Sequence, residues 1–236
     1  MNVPTIKGII DRRILINFIA DPDVIQKLLP AVFKPKIYKD KAIVGICLIR
    51  LKQIRPKGFP GFIGISSENA AHRIAVQWTE GGATKEGVFI PRRDTSSSLN
   101  TFAGGRIFPG KHFPAKFNVQ EAEGNYHIDF KSSDNTSIAI DAKDSNLFSP
   151  DSVFENISNA SRFFEAGELG YSPNADRYDG LKLKTFDWKV TALQVQFVHS
   201  SFFEDETIFP KGSVQFDNAL LMKEIKHEWH SVKQII

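Results

Sequence analysis

Along most of the chain, apolar residues either alternate with polar ones or form short runs closed by turn residues, a pattern that predicts strands far more often than helices. Ile14 to Ile19, Ala42 to Ile54, His72 to Trp78 and Gly87 to Ile90 are rich in Ile, Val and aromatics, and each is bounded by Pro, Gly or charged residues. Phe117 and Val119, then Tyr126, Ile128 and Phe130, alternate on either side of Glu123-Gly124-Asn125, the signature of a hairpin. Further strands are predicted at Ser137 to Ile140, Leu181 to Val190 and Leu193 to Val198. Two helices interrupt them. Asp21 can cap the first, Pro22 suits its opening position, Val24, Ile25, Leu28 and Leu29 make its apolar stripe, and Pro30 stops it. In the second, Ser152 and Glu155 have capping-box spacing, and Phe154, Ile157 and Phe164 recur until Gly167. The tail from Gln215 to Trp229 reads equally as helix or strand. No linker, repeat or charge block divides the chain, so residues 1–236 are expected to form one α+β domain. Its sheet is mainly antiparallel and closed, like a cone or barrel, with a few helices.

Composition narrows this picture. The chain has 236 residues, of which 42% are hydrophobic and 24% charged, and these ordinary globular values exclude general disorder and fibrous architectures. Twenty Phe against two Met favour a rigid, strand-rich interior. A net charge of +3 is too small to predict a polyanion partner. Positive charge does gather at Lys34, Lys36, Lys39, Lys41, Arg50, Lys52, Arg55 and Lys57, broken only by Asp40. These residues either form a stripe that touches phosphates or occupy the solvent side of strands, where lysines discourage edge pairing. No nucleic-acid motif accompanies them, so no nucleic-acid partner is expected. The single cysteine, Cys47, leaves no disulfide framework and no thiolate metal site, and reads as a small core residue. There is no apolar run of about 18 residues and no basic-then-apolar leader, so a cytoplasmic setting without membrane contact is expected.

Few motifs carry chemistry. Gly105-Arg-Ile-Phe-Pro-Gly110-Lys111-His112 has the spacing of a phosphate-binding loop, but His112 replaces the hydroxyl residue, Pro109 removes an N–H, and Phe113-Pro114 opposes a helix. His227 and His230 could share a helix face and hold a metal, although no closer His pair supports them. No Gly-x-Ser-x-Gly elbow is present. Glu68, Arg92, Arg93, Asp94 and Lys111 remain, polar residues within or beside predicted strands, and they form either a structural network or a site.

Segments spread along the chain resemble a known family. Asn17-Phe-Ile-Ala-Asp21-Pro-Asp23, leading to Leu29-Pro30, is similar to the strand, Asp-x-Asp helix and Leu-Pro stop of acetoacetate decarboxylases. Val198-His-Ser-Ser201, with Asp205 and Pro210 beyond it, resembles their Val-Ser-Ser-Ser strand, and Tyr178-Asp179-Gly180 also has a counterpart. With matches scattered from Arg12 to Leu221, the chain resembles the bacterial proteins labelled domain of unknown function 2071, relatives of the acetoacetate decarboxylases. In those decarboxylases a lysine attacks the ketone of a β-keto acid, and the resulting imine accepts electrons as carbon dioxide leaves. That lysine must be neutral, through burial or a neighbouring like charge.

The resemblance carries over residue by residue. The family's Arg-Glu pair and aromatic-Pro-Lys-Lys run correspond to Arg93-Asp94 and, after an insertion, Phe108-Pro109-Gly110-Lys111. The nucleophilic lysine thus falls on Gly110 and its neighbour on Lys111, unless the loop shifts by one residue. Glu68 matches one family glutamate, whereas a second falls within Gly45-Ile-Cys47, where no acid exists. Arg12 or Arg13 approximates an N-terminal arginine. Loss of one lysine and one glutamate argues against acetoacetate decarboxylation itself. The implied site therefore has Lys111 and Glu68 as catalytic residues and Arg93, Arg92 and Arg12 as binding residues, with no metal and no cofactor. Its ligand would be a small carboxylate or carbonyl compound.

Three readings follow. Lys111 performs lyase-like imine chemistry on a keto or aldehyde compound; or the protein binds a small acid without catalysis, clamping it with an arginine; or the rings fill the interior and the role is structural. Phe89, Phe108 and Phe113 flank the polar candidates and would wall the cavity in the first two. Assembly into a homo-oligomer stays open.

Overall fold

The computed structural model describes residues 4–98 and 109–236. In chain order these form β1 (Ile6–Ala20), α1 (Pro22–Leu28), β2 (Lys34–Pro35), β3 (Ile37–Tyr38), β4 (Lys41–Pro56), β5 (Ile65–Glu80), β6 (Ala83–Thr95), β7 (His112–Ala122), β8 (Asn125–Ser132) and β9 (Ser137–Ser145). They continue as α2 (Ile157–Glu165), β10 (Leu169–Asn174), β11 (Arg177–Thr185), β12 (Thr191–Ser200) and β13 (Val214–Ile235). No helix among the described residues is long and apolar enough to cross a membrane.

Local chemistry explains most of these elements. The Asp21 carboxylate accepts from the backbone N–H groups of Asp23, at 2.8 Å, and Val24, capping α1 as expected. The hairpin joining β7 and β8 turns at Glu123 and Gly124, both at positive φ. Two expectations need correction. The capping box at Ser152 and Glu155 does not form: the Ser152 hydroxyl donates to Asp217 at 2.7 Å, Glu155 pairs with Lys39, and α2 starts later, capped by Asn156. The predicted strand from Leu181 to Val190 ends at Thr185. The ambiguous tail is a 22-residue strand, β13, and this removes the metal reading of His227 and His230. A three-residue spacing that shares a helix face points to opposite faces of a strand.

The strands make one sheet that closes on itself twice. The path β13-β1-β4-β5-β6 is common to both rings. At one end of these long strands β10 and β11 bridge β6 to β13; at the other, β7, β8, β9 and β12 do so. Only the β6–β10 and β6–β7 pairings are parallel among the described strands. One face of the shared strands, with Ile14, Ile16, Ile46 and Leu48, packs against Ile128, Phe130, Ile138 and Ile140 of β8 and β9. The opposite face, with Leu15, Ile43, Cys47 and Ala75, is covered by Phe154, Phe163 and Phe164 at and before α2.

The phenylalanines mostly fill these interiors. Phe33 contacts the rings of Trp78, Phe89, Tyr171 and Tyr178, all within 5.8 Å between centroids. Phe202, Phe203 and Phe209 cluster together, and His72 lies between the first two. Part of the basic stretch reads as solvent-side residues with acid partners distant in sequence, Lys39 with Glu155, Lys52 with Asp11 and Lys57 with Glu228, whereas Lys36 is half-buried over Phe163 and pairs with Glu86.

His72 is fully buried, its Nδ1 lies 3.9 Å from the Asp94 carboxylate, and neither ring nitrogen has a hydrogen-bond partner among the described residues. Burial, reinforced by the charge of Arg92, lowers its pKa from 6.5 to about 3. Between those values the unfolded chain holds more protons than the folded one, so stability is lost as pH falls from about 6.5 toward 3. From about pH 6 to about pH 4.5, urea unfolding of the natural chain should therefore lose about 1.4 kcal/mol per pH unit more than that of His72→Phe. Equal slopes would mean that the folded protein accepts the proton on His72.

Candidate functional site

The shared strands carry two pairs of adjacent arginines, Arg12-Arg13 on β1 and Arg92-Arg93 on β6. Side chains alternate along a strand, so the members of each pair separate to opposite faces. Two register shifts decide which goes where. On β1 the shift between Ile10 and Arg12 passes the inner position from Ile10, opposite Leu51, to Arg13, opposite Ile49. On β6 an extra residue around Pro91 lets Val88, Ile90 and Arg93 line one cavity, facing Ala75 and Ala71 of β5.

On the opposite face every arginine meets carboxylates. Arg12, 2% exposed, donates to Glu68 at 2.6 Å and to Glu121. Arg50 donates to Glu68 at 2.5 Å and to Glu121 at 2.9 Å, and also pairs with Asp11. Burial works against charge on Glu121, but the hydrogen bonds and charges of Arg12 and Arg50 outweigh it and hold that carboxyl below its ordinary range. Arg92 is bonded to Asp94 at 2.6 Å, to Asp134 at 2.6 Å and to Ser132 at 2.9 Å. This face is a compensated network.

The cavity face differs. It borders a half-open cavity of about 130 Å³, on the order of ten times the space one water needs, which suits a molecule of few heavy atoms. Arg13, Arg73 and Arg93 line it together with Cys47, Asn69 and His112. The Arg13 Nε donates to Cys47 Sγ at 3.0 Å. Arg73, 4% exposed, stacks 4.7 Å above the ring of Phe164 and donates through Nη2 to Asn17, while its Nε has no partner. Gly45 leaves room for it, since a Cβ there would lie 2.3 Å from the carbonyl oxygen of Ile16 and 3.2 Å from Arg73 Nη2. Arg93 donates to the Pro109 carbonyl at 2.9 Å and to Ser172 Oγ at 3.4 Å.

None of these three arginines forms an ion pair with a carboxylate of the described residues. The acids that line the cavity are committed elsewhere: Glu86 to Lys36 at 2.6 Å, Glu168 to Lys182 at 2.6 Å, and Asp94 to Arg92. Burial lowers Arg73 and Arg93 to about 10, which leaves both charged at neutral pH. Burial, with the charge of Arg93, lowers His112 to about 4 and keeps it neutral. Buried cations without counter-ions are costly. A small anion would complete them through charge-assisted, potentially bidentate hydrogen bonds.

The structure divides the residues expected from sequence. Arg93 lines the cavity. Glu68, Arg12 and Arg92 belong to the networks on the other face, and of the two candidate N-terminal arginines it is Arg13 that faces the cavity. Lys111 is exposed, its ammonium 4.6 Å above the ring of Phe113, and is not part of the lining. Gly110, where the family's nucleophilic lysine falls, has φ +90°, and a Cβ there would lie 2.7 Å from that of Ser172. A side chain is strained at that position. Phe89 belongs to the Phe33 cluster, and Phe108 lies outside the described residues. The rings that do line the cavity are Phe163, Phe164 and Trp229.

Sequence reasoning missed Arg73, and passed over Cys47 and His112 as site residues. An arginine at the cavity-facing alternation Asn69, Ala71, Arg73, Ala75, directly before the apolar run Ile74-Ala75-Val76, was the available signal. Nothing local distinguished Cys47 from a core residue.

This doubly closed sheet is the acetoacetate-decarboxylase-like fold. An acetoacetate decarboxylase from Legionella pneumophila superposes with a TM-score of 0.64 at 14% identity, covering 99% of this chain and 90% of that one. An acetoacetate decarboxylase-like enzyme from Sphingomonas wittichii gives 0.56 at 11% identity, over 100% and 93% of the two chains. The enduracididine biosynthesis enzyme MppR, in complex with pyruvate, gives 0.56 at 9% identity, over 99% and 91%. Within that fold, residues 10–217 match the family DUF2071, described as an uncharacterized conserved protein, and the chain belongs to it. No curated protein matches the chain in sequence.

The two faces predict opposite responses at neighbouring positions. Arg12→Met strips a cation from two carboxylates and should cost about 3 kcal/mol of unfolding free energy, whereas Arg13→Met, which breaks no ion pair, should change it by less than about 1 kcal/mol. Urea unfolding at neutral pH measures both, and equal losses would contradict this division of faces.

Proposed function

We propose that the protein binds a small organic acid in this cavity, with Arg73 and Arg93 receiving the carboxylate and Arg13 completing the positive wall. The observation that carries the reading is the set of three arginines lining one half-open cavity without a carboxylate partner among the described residues. Phe163, Phe164 and Trp229 supply apolar surface for the rest of the ligand. The pyruvate complex of MppR, on the same fold, offers a ligand of suitable size and charge. Lys111 lies outside the lining and Gly110 leaves no side chain at the family's nucleophile position, so this reading is of capture by charge, without a lysine imine.

Thermal unfolding across a pyruvate titration tests it. The melting temperature should climb with pyruvate concentration, since a ligand at about a hundred times its Kd adds about 2.7 kcal/mol to the folded state. Pyruvamide, of the same shape but uncharged, should give little shift. Arg93→Met should abolish the pyruvate effect and Lys111→Ala should preserve it. Loss of the shift in Lys111→Ala, together with a borohydride-trapped adduct on Lys111, would restore the imine reading. No shift with pyruvate or with other small carboxylates would remove the binding proposal altogether.

A further inference from the structure

Cys47 lies on the floor of this cavity and is 6% exposed. It is held there by strand register, opposite Leu15 of β1 and Ala71 of β5, both of which share the lining. A thiol in an apolar wall would be inert. This one accepts a hydrogen bond from the Arg13 guanidinium at 3.0 Å. The guanidiniums of Arg73 and Arg93 line the same cavity as the sulfur. Electropositive surroundings of this kind are where reactive cysteines occur. A separate observation points to a ligand here: Arg73, more than nine-tenths buried, lines the same cavity, has no ion pair among the described residues and leaves its Nε without a hydrogen-bond partner.

We infer that Cys47 is a nucleophilic thiol that reversibly captures the carbonyl carbon of a 2-oxo acid whose carboxylate rests on Arg73 and Arg93. This inference rests on the anion-binding reading above and adds the ligand class and the covalent partner. In the step, Sγ bonds to the ketone carbon and the carbonyl π pair moves to oxygen, which takes the proton that the thiol gives up. The product is a hemithioketal. No atom or electron is gained or lost, no co-reactant is needed, and the reverse step releases the acid unchanged. The carboxylate next to the ketone is what a cationic cavity recognises, and it sets a 2-oxo acid apart from a simple ketone. Arg13 serves as a positioning residue, orienting the sulfur.

Because Cys47 is the only cysteine in the chain, thiol reactivity in the folded protein reports on this atom alone. Two alkylating reagents that differ in charge separate directed from undirected reaction; in each, sulfur displaces iodide from carbon. In the native protein, anionic iodoacetate should react about tenfold faster, relative to neutral iodoacetamide, than it does with the urea-unfolded chain. Arg13→Met should lose much of that preference while remaining folded, and pyruvate should slow both reagents. Pyruvate labelled with carbon-13 at the ketone should show, on adding protein, a signal moved out of the carbonyl region to that of a tetrahedral carbon. Cys47→Ser should lack that signal yet still be stabilised by pyruvate. Thermal stabilisation by pyruvate without iodoacetate preference or a tetrahedral signal would overturn the thiol inference and leave the binding reading standing. Absence of both stabilisation and protection would overturn the binding reading itself.

Discussion

The strands β13, β1, β4, β5 and β6 belong to both rings of the sheet, so each must satisfy two interiors at once. Alternation of side chains is the constraint from which the rest follows. A residue and its neighbour necessarily enter different environments, and a single extra residue in one strand reverses the assignment for everything beyond it. The register shifts at Ile10 to Arg12 and around Pro91 do this on the two strands that carry arginine pairs. The outcome is a molecule in which Arg12 and Arg92 are neutralised by acids on one face while Arg13 and Arg93 enter a cavity on the other, uncompensated.

The two faces have different energetics. The ion network around Arg12, Arg50, Glu68 and Glu121 links β1, β4, β5 and β7, and within it Arg12 and Arg50 hold the Glu121 carboxyl below its ordinary range. Removing one partner leaves a buried charge exposed to low dielectric, which makes the network costly to break. The cavity arginines are strained electrostatically in the free protein: burial disfavours Arg73 and Arg93, and Arg13 adds repulsion at Arg73. Cations held this way beside a cavity support the proposed binding of an anion, whose charge would offset the cost of burying them. The hydrogen bonds of Arg93 to the Pro109 carbonyl and Ser172, and the stacking of Arg73 on Phe164, fix the guanidiniums without neutralising them.

Much of this fold was legible in the chain. The apolar runs at Ala42 to Ile54 and His72 to Trp78 marked the central strands, and Asp21-Pro22 marked α1. The tail was not, because the alternation in β13 is interrupted: Asp217, Asn218, Ala219, Leu220, Leu221 and Met222 are buried in succession where the strand serves both rings. Ser152 and Glu155 misled because tertiary partners, Asp217 and Lys39, took the atoms a capping box would use. Of the site, Arg93 was found, but which member of each arginine pair turns inward depends on two bulges, of which only the one on β6 is marked in the residues, by Pro91 within the strand. The abundance of phenylalanine suggested aromatic walls. Most of the rings instead fill cores, and in the cavity Phe163, Phe164 and Trp229 share the lining with the three arginines.

A crystal structure of the protein soaked with pyruvate tests the central claim most directly, that unneutralised arginines facing one cavity make it a carboxylate site. The account predicts pyruvate within the cavity, its carboxylate oxygens at hydrogen-bond distance from Arg73 and Arg93. An empty cavity at saturating pyruvate, or a carboxylate held by Arg12, Arg92 or Lys111 instead, would contradict it.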